Sequence, residues 1–350
     1  MRILVGMSGG IDSSMAAYLL KSQGHEVIGV TMTVWSNEDP GSAGDENSCF
    51  SSHKAKDLED AIQICRKIGI AHETLDLSDL FEQEVLRNFR QEYMNARTPN
   101  PCVICNQRIK FGAMIEQAHR MLDFDAFATG HYARIKNQGR FCLQRAADTL
   151  KDQSYFLYRL SQKQLSTTLF PLGELHKKDL RALDAELGFH PEGQSESQDF
   201  YSGSYTNLIK QPPKEGLIVD QEGHRLGTHK GFWNYTIGQR RGLGIASPYP
   251  LYVVDLDSQR NLVTVGPREL AYSSVARAED LVWGSIDHLD SPIEAYAKIR
   301  STGEPQKVIA QGDGKSLKVE FETPALASTP GQSLVLYDKD GFILCGGIIS

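Results

Sequence analysis

Apolar and polar positions follow different patterns in the two halves of this chain. Over the first 130 residues, short apolar runs alternate with longer amphipathic stretches. Residues 2–7 are almost continuously apolar, which is typical of a strand buried on both faces of a sheet. A helix is predicted over 13–23, and further strands over 26–32, 72–77 and 124–129. Alternating strands and helices predict an α/β domain with a doubly wound parallel sheet.

The stretches between these strands carry one-sided apolar stripes that predict helices. The first stripe consists of Leu58, Ala61, Ile62 and Cys65, and the second of Phe81, Val85, Phe89 and Tyr93. A further helix is predicted over 109–122. Cys65 is therefore expected in the core, and Cys142 and Cys345, which lie in apolar runs, are expected to be structural thiols as well.

The pattern changes near residue 205, where Gly and Pro begin to separate short runs rich in Val, Ile, Tyr and Thr. Closely spaced strands of this kind predict small antiparallel barrels. The strands are expected over 217–220, 251–255, 262–265, 295–300, 318–321, 333–337 and 341–348. The shift predicts a domain boundary near residues 200–210 and a weaker one near 270–275.

Composition narrows the class of protein. The chain has 350 residues, with 37 Lys and Arg against 44 Asp and Glu, a formal charge of −7. An acidic protein that binds nucleic acid must do so through a local basic face. No apolar stretch approaches the length of a membrane span, and the run at 2–7 is too short for the core of a signal peptide. Six cysteines without an export signal are expected to be reduced thiols in the cytoplasm.

Residues 8–13, Ser-Gly-Gly-Ile-Asp-Ser, lie between the first strand and the first helix. Two glycines permit a tight turn with inward N–H groups, and the helix N-terminus adds partial positive charge, so the segment predicts an anion cradle. Asp12 could orient a metal or a loop amide. The spacing matches neither the Walker A loop nor the Rossmann fingerprint. The alternative is a serine-capped turn whose glycines serve geometry only.

Residues 98–106, Thr-Pro-Asn-Pro-Cys-Val-Ile-Cys-Asn, form the second chemical signal. Two prolines stiffen the approach to a Cys-x-x-Cys pair. A helix beginning near Asn106 would place Cys105 at its N-terminus, where the pKa of a thiol is lowered. The pair alone is compatible with a redox couple, half of a metal site, or chance.

The loop at 8–13 resembles the pyrophosphate-binding loop of the ATP pyrophosphatases in the adenine-nucleotide α-hydrolase-like superfamily. Together with further segments in order, the chain resembles the tRNA-specific 2-thiouridylase family over nearly its full length. Those segments are 97–101 (RTPNP), 109–112 (IKFG), 128–134 (ATGHYAR), 151–157 (KDQSYFL), 170–174 (FPLGE), 235–244 (YTIGQRRGLG), 250–254 (PLYVV) and 329–332 (TPGQ).

The resemblance implies ATP-dependent adenylation of the wobble uridine of tRNA at position 34, followed by sulfur transfer to its carbon-2, with release of AMP and pyrophosphate. It also implies three parts: an ATP-pyrophosphatase catalytic domain over 1–205 with a tRNA-binding helical part at about 150–200, a small central β-rich domain over 206–272, and a C-terminal antiparallel β-barrel over 273–350. It implies ATP and Mg²⁺ as cofactors, and as partners tRNA and a persulfide sulfur-donor protein or free sulfide, without a membrane. Many members carry Asp at the position of Cys102 and Cys at that of Cys105, so the family nucleophile would be Cys105 and not Cys102. Asp12 is also expected to be catalytic, and Cys102 is a further catalytic candidate under the hypothesis given below. The residues implied for ATP are Gly6, Met7, Ser8, Gly9, Gly10, Ile11, Asp12, Ser13, Met32 and Gly130. Those implied for tRNA are Arg97, Thr98, Pro99, His131, Lys151, Asp152, Gln153, Arg300, Ser301 and Gln332.

One position departs from the family pattern. Tyr201 stands where the family usually carries a second catalytic cysteine, and tyrosine cannot form a persulfide. Three hypotheses follow. Cys102 and Cys105 share the sulfur chemistry, or both bind a labile iron–sulfur cluster with a third ligand such as Cys49, or the protein is a tRNA-binding homologue without thiolation turnover.

Two further interpretations complete the sequence analysis. An ATP pyrophosphatase acting on a small amide or carboxyl substrate is the competing enzyme class, and the cysteine pair and the β-rich half argue against it. The histidines at 119, 176, 190 and 229 are expected to be surface residues.

Overall fold

The structure, a computed structural model, describes residues 1–35, 54–191, 193, 200–201 and 205–350. Cys49, named above as a third cluster ligand, lies outside the described residues. Strands and helices alternate at first and strands dominate later. In chain order the elements are β1 (Arg2–Gly6), α1 (Ile11–Ser22), β2 (Glu26–Thr33), α2 (Lys54–Ile68), β3 (Ala71–Asp76), α3 (Ser78–Phe81), α4 (Arg87–Met94), α5 (Pro101–Ile104), α6 (Met114–Ala118), β4 (Ala126–Ala128), β5 (Ala133–Asn137), β6 (Phe141–Arg145), α7 (Gln162–Ser166), β7 (Thr168–Leu169), α8 (Lys177–Leu187), α9 (Tyr205–Ile209), β8 (Gly216–Val219), β9 (Arg225–His229), β10 (Tyr252–Asp257), β11 (Leu262–Gly266), β12 (Tyr272–Trp283), β13 (Ile293–Lys298), β14 (Gln306–Gly312), β15 (Leu317–Leu326), β16 (Ser333–Tyr337) and β17 (Ile343–Ile349).

The chain forms two compact units. The first contains Met1–Val85, Pro101–Ser204 and Asp340–Ile343, and the second contains Leu86–Asn100, Tyr205–Lys339 and Leu344–Ser350. The division into three parts at 205 and 272 stays a prediction. Within the described residues, no helix is long and apolar enough to cross a membrane.

The first unit is built on a five-stranded parallel sheet in the order β3-β2-β1-β4-β7. Ile3, Leu4 and Val5 of β1 are fully buried, as expected for a central strand covered on both faces. Helices α1 and α2 pack on this core. The predicted doubly wound parallel sheet is confirmed. The short antiparallel pair β5–β6 is separate from it.

The apolar stripe from Phe81 to Tyr93 is buried at all four positions, as predicted. Its four-residue spacing exceeds the 3.6 residues of an α-helical turn. A π-helical segment over Glu82–Leu86 joins α3 to α4 and contains more residues per turn, so it helps keep the stripe on one side. On α2 the buried positions are Ala61, Ile64, Cys65 and Ile68, while Leu58 and Ile62 are half-buried. The buried face of α2 is therefore rotated about the helix axis from the face that the sequence predicted.

The helix that carries the cysteine pair begins earlier than predicted. Helix α5 starts at Pro101, a π-helical segment over Cys105–Ala113 follows, and α6 ends at Ala118. Proline is well suited to the first helical position, because its missing N–H has no helical acceptor there and its φ angle is already helical. The expected helix start near Asn106 is wrong. Cys102 lies in the first turn, and Cys105 lies one turn inside.

The second unit contains a four-stranded sheet in the order β10-β11-β8-β9 and a closed barrel of six strands in the order β12-β15-β14-β13-β16-β17. The antiparallel barrel is confirmed. In the smaller sheet, β8 and β11 pair in parallel, so the expectation of a purely antiparallel arrangement is wrong there. Parallel pairing of β8 with β11 requires the chain to cross over between them, and the long connection from β9 to β10 provides this crossover.

Candidate functional site

The loop after β1 lies at the point where the sheet changes direction. Strand β1 pairs with β2 on one side and β4 on the other, and such switch points are where open α/β sheets bind ligands. Gly130 follows β4 and approaches the loop closely. A Cβ at Gly130 would lie 2.5 Å from the Asp12 carbonyl carbon and 2.7 Å from the Ser13 nitrogen. Only glycine allows the two connections to lie this close.

The loop is held by hydrogen bonds among its own residues. The Ser13 hydroxyl accepts from the Ser8 N–H at 3.1 Å and donates to the Gly10 carbonyl at 3.0 Å, while Ser14 donates to the same carbonyl at 2.9 Å. Gly9 has a φ of +77°, and a Cβ there would lie 2.7 Å from a backbone carbonyl of α2. No side chain caps the start of α1. The first-turn N–H groups of α1 therefore suit an anion.

A cavity of about 260 Å³ opens at this loop. Its lining includes seven of the ten residues implied for ATP, namely Gly6, Met7, Ser8, Asp12, Ser13, Met32 and Gly130. Gly9, Gly10 and Ile11 do not line it. His131 and Gln153, implied for tRNA, line this same cavity. The remaining lining side chains were not predicted as site residues, and they include Thr31, Trp35, Asp57 and Lys110.

Asp12 is fixed by two side chains that sequence reasoning missed. The Lys177 ammonium donates to Asp12 Oδ1 at 2.7 Å, and the Tyr132 hydroxyl donates to the same oxygen at 2.8 Å. Lys177 is buried in the first turn of α8 and lies 5.9 Å from the centre of the Tyr132 ring. A buried lysine is uncommon unless it is paired, so this ion pair is a marker of the site. The Asp12 carboxylate is oriented by a fixed cation.

His131 is an uncharged, aromatic-lined group at the cavity. Its Nδ1 lies 2.7 Å from the Thr129 hydroxyl, and its ring lies about 6 Å from those of Phe111 and Phe170. Some of its surface faces the cavity, yet burial lowers its pKa well below the ordinary value of 6.5, and the nearby Lys110 lowers it further. His131 is therefore neutral near pH 7, and it is suited to stacking or neutral hydrogen bonding rather than to pairing with phosphate.

Residues 151–153 form a structured turn beside the cavity. The Asp152 side chain is 1% exposed and accepts hydrogen bonds from Arg145 Nε, the Ala146 N–H and both the N–H and hydroxyl of Ser154. Gln153 Oε1 accepts from the Tyr132 N–H at 3.0 Å. Lys151 is half-buried. Asp152 therefore organises the turn, while Gln153 connects it to the segment that carries Tyr132.

Cys102 and Cys105 are half-buried thiols three residues apart on one helical run. Residues at this spacing lie on the same face of a helix. Cys105 opens the π-helical segment, a feature common at functional sites. The other thiols differ, because burial raises the pKa of Cys65 and of Cys345 to about 12 and Cys142 is fully buried. Their prediction as core thiols is confirmed.

Among the described residues, one group of three or more His, Cys, Asp or Glu side chains is close enough to hold a metal ion. It consists of Asp220, Glu222 and His224, and it contains no cysteine. Tyr201 is buried, and the neighbouring Phe200 stacks on Phe81 at 6.2 Å between ring centres.

The second unit contains six residues implied for tRNA, and four of them form one network. Gln332 Nε2 donates to the carbonyls of Thr98 and Pro99 at 2.9 and 3.1 Å. The Thr98 N–H donates to the Pro330 carbonyl at 2.8 Å, and Arg97 pairs with Glu92 at 2.7 Å. Elsewhere in this unit Arg300 donates to the carbonyls of residues 326 and 327, and Ser301 is half-buried. The network orders the segment that leads into Cys102.

Two of the four histidines expected at the surface are buried. His119 and His176 are exposed as predicted, but His229 is 4% exposed and the His190 side chain 5%. His190 Nδ1 lies 2.7 Å from Asp184, and its Nε2 lies 3.1 Å from the carbonyl oxygen of Gly9. Gly9 belongs to the loop at residues 8–13, named the anion loop below after its predicted role. No local pattern could have indicated this contact, because His190 follows α8 and is far from Gly9 in the sequence.

Comparison with known proteins decides the family. The chain is 45% identical to the tRNA-specific 2-thiouridylase MnmA of Endomicrobium trichonymphae, over all of this chain and 99% of that protein. The chain belongs to the tRNA-specific 2-thiouridylase family. A second 2-thiouridylase, from Halothermothrix orenii, is 45% identical over 99% of this chain and 98% of its own length. The 2-thiouridylase of Clostridioides difficile is 39% identical over 99% and 98% of the two chains.

Family profiles match three consecutive stretches of this 2-thiouridylase family member. A tRNA methyl transferase HUP domain matches residues 1–201, a tRNA methyl transferase PRC-barrel domain matches 208–267, and an aminomethyltransferase beta-barrel domain matches 273–349. The resemblance stated from the sequence motifs is thereby confirmed. The HUP match covers the parallel sheet and its anion loop, and the last match covers the closed barrel.

Proposed function

We propose that this chain is a tRNA-uridine 2-sulfurtransferase, which makes 2-thiouridine at position 34 of tRNA in an ATP-dependent reaction. The observation that carries the proposal is the anion loop and its cavity at the β1–β4 switch point, in a chain with full-length similarity to named 2-thiouridylases. The same similarity favours an enzyme over a tRNA-binding homologue without turnover, because each relative described above is named for the reaction.

ATP is the proposed occupant of the cavity. The uncapped start of α1 and the Ser8 and Ser13 hydroxyls are suited to phosphate oxygens, and Met7 and Met32 offer apolar surface for a base. Two carboxylates, Asp12 and Asp57, also line the cavity. Mg²⁺ is commonly held by one or two carboxylates together with substrate phosphates, so these residues fit the ion, which would neutralise charge on the departing pyrophosphate.

The first chemical step activates an oxygen that is otherwise a poor leaving group. The carbon-2 oxygen of the uridine attacks the α-phosphorus of ATP, so an O–P bond forms and pyrophosphate leaves. Lys177 and Tyr132 keep the Asp12 carboxylate in one orientation beside the reacting phosphates. Fixed charges and dipoles of this kind need no reorganisation as charge develops in the transition state.

The second step uses the cysteine pair in place of the relay that Tyr201 cannot support. A persulfide on Cys105 attacks carbon-2 through its terminal sulfur, and AMP leaves with the original oxygen. The Cys102 thiolate then attacks the Cys105 sulfur, which releases 2-thiouridine and forms a Cys102–Cys105 disulfide. A thiol reductant restores the pair. Placement three residues apart on one helical run supports this exchange.

The substrate would be the anticodon region of tRNA, with the target base turned out of its stack at a cost of a few kcal/mol. The proposed contacts in the first unit are half-buried His131 and Gln153 at the cavity and Lys151 in the turn beside it, which the buried Asp152 holds in shape. Those in the second unit are Arg97, Thr98, Pro99 and Gln332, with Arg300 and Ser301. A persulfide donor protein would transfer its outer sulfur to the Cys105 thiolate. Free sulfide, the other expected source, would give the Cys105 persulfide only by attacking the Cys102–Cys105 disulfide, with the Cys102 thiolate as the leaving group. A tRNA substrate and an ATP requirement favour the cytoplasm.

The test uses the purified chain with ATP, Mg²⁺, a persulfide donor and an unmodified anticodon stem-loop. We expect AMP and pyrophosphate that depend on the RNA, and one oxygen-to-sulfur exchange detected by mass spectrometry. Cys105→Ser should abolish thiolation, and Cys102→Ser should stop after one turnover at most. RNA binding without AMP would support the binding-only homologue instead. Full multiple-turnover thiolation by Cys102→Ser would reject the shared role of the pair.

Anaerobic purification followed by iron and sulfide assays separates the persulfide route from the cluster route. A protein that contains no iron and still thiolates with a persulfide donor supports the persulfide route. Stoichiometric iron and sulfide that are lost in Cys102→Ser would support the cluster instead.

A further inference from the structure

Helix α8 contacts the anion loop at both of its ends. At the start of the helix, Lys177 donates to Asp12 at 2.7 Å. Just beyond its other end, His190 Nε2 lies 3.1 Å from the carbonyl oxygen of Gly9, and Asp184 within the helix lies 2.7 Å from His190 Nδ1. Both side chains of the Asp184–His190 pair are 5% exposed. A buried pair aimed at the backbone of the loop calls for an explanation beyond packing.

The partners of His190 determine which ring nitrogens donate. A carbonyl oxygen can only accept a hydrogen bond, so Nε2 carries a proton and donates to Gly9. An ionised carboxylate oxygen also only accepts, so Nδ1 carries a proton as well and donates to Asp184. Asp184 lies against Nδ1 and sets the orientation of the ring, as carboxylates do for histidines in metal and catalytic sites. A planar trans peptide points its C=O and N–H in opposite directions. Holding the Gly9 oxygen toward His190 therefore directs the Gly10 N–H away from His190.

We propose that His190, oriented by Asp184, is a positioning residue that fixes the Gly9–Gly10 peptide and thereby holds the neighbouring Ser8 and Ser13, which line the cavity, in place for the phosphates of ATP. The inference rests on the proposed function for the identity of the nucleotide. Gly9 is the residue of the loop with a positive φ, and glycine has little intrinsic preference between the two signs of φ. The flexible peptide thus gains its orientation from a contact outside the loop.

The turn that carries His190 is anchored independently of this contact. Lys67 Nζ donates to the carbonyls of Gly188 and Phe189 at 3.2 and 2.8 Å, and the Phe189 ring packs edge-on against Tyr18 at 5.6 Å. Removing the His190 ring therefore leaves the turn in place. Lys67 also provides a matched control, because its substitution loosens the same turn without removing the donor to Gly9.

The experiment measures binding of α,β-methylene-ATP with Mg²⁺ by calorimetry, so it does not depend on thiolation. We expect His190→Ala to weaken binding about tenfold. Asp184→Ala should weaken it by a smaller factor, whereas Asp184→Asn keeps an acceptor for Nδ1–H and should bind as the wild type does. Lys67→Met should also bind as the wild type does. RNA affinity should be unchanged in all four variants.

Wild-type affinity in both His190→Ala and Asp184→Ala would overturn the inference. Equal weakening in Lys67→Met would also overturn it, because the effect would then come from the turn rather than from the donor. If His190→Ala does not fold, the comparison of Asp184→Ala with Asp184→Asn decides in the same way. Failure of the wild-type chain to bind the analogue would instead reject the proposed ATP site.

Discussion

Gly130→Ala is the most direct probe of the close approach that forms the site. The new Cβ would lie 2.5 Å from the Asp12 carbonyl carbon, 2.7 Å from the Asp12 oxygen and 2.7 Å from the Ser13 nitrogen. All three atoms belong to backbone, so no side chain can rotate to relieve the clash. Ordinary van der Waals contacts begin at 3.4 Å. The segment after β4 and the first turn of α1 must therefore separate by about 0.9 Å to admit the methyl group.

This separation would displace Asp12 and Ser13, which line the cavity. Overpacking of a well-packed region costs about 1–3 kcal/mol, so we expect the domain to stay folded with reduced stability. A displacement of about 1 Å at a reacting centre can lower a rate about 100-fold. We therefore expect weaker binding of the ATP analogue and a loss of RNA-dependent AMP formation of about that size.

The matched control is Gly227→Ala. Its Cβ would meet only Ile245 Cγ1, at 3.7 Å, and Gly227 is not among the glycines with positive φ. Analogue binding is measured by calorimetry and AMP by chromatography, for both variants and the wild type. Wild-type binding and turnover in Gly130→Ala would refute the reasoning, because the loop could then accommodate a methyl group without consequence.

Three further predictions follow from the same site and from the buried titratable groups. Lys177→Met removes the cation that orients the Asp12 carboxylate, so the rate of AMP formation should fall at least tenfold in a chain that still melts cooperatively. An unchanged rate would contradict the role assigned to Lys177. Burial lowers the pKa of His72, His131 and His229 below the ordinary value of 6.5. Below about pH 6.5 the unfolded chain therefore binds more protons at these residues than the folded chain does, and the free energy of unfolding should fall as the pH drops. Urea unfolding at several pH values checks this, and His131→Gln should reduce the slope between about pH 7 and pH 5. Because burial raises the pKa of Cys65 and Cys345 to about 12, iodoacetamide near pH 7.5 should label the half-buried Cys102 and Cys105 before these two thiols, and labelling of Cys65 before Cys102 would contradict this order.

Local features of the fold were predictable because they depend on neighbouring residues. The apolar run of β1, the stripe from Phe81 to Tyr93 and the glycine-containing loop all have the structure that their patterns predicted. The helix start at Pro101 was missed, although proline at the first helical position is a recognised signal. The predicted face of α2 was displaced for a different reason, since Leu58 lines the cavity instead of packing fully into the core.

What the sequence by itself determined is the class of fold, the anion loop and the family, because each depends on order along the chain. Tertiary structure alone decided which distant groups support the loop. Lys177 contacts Asp12 across 165 residues, and His190 lies against Gly9 across 181. Neither residue belongs to a periodic pattern, and both histidine and lysine are more often exposed. Their roles arise only when α8 packs against α1, which brings Lys177 to the Asp12 carboxylate and His190 to the Gly9 carbonyl.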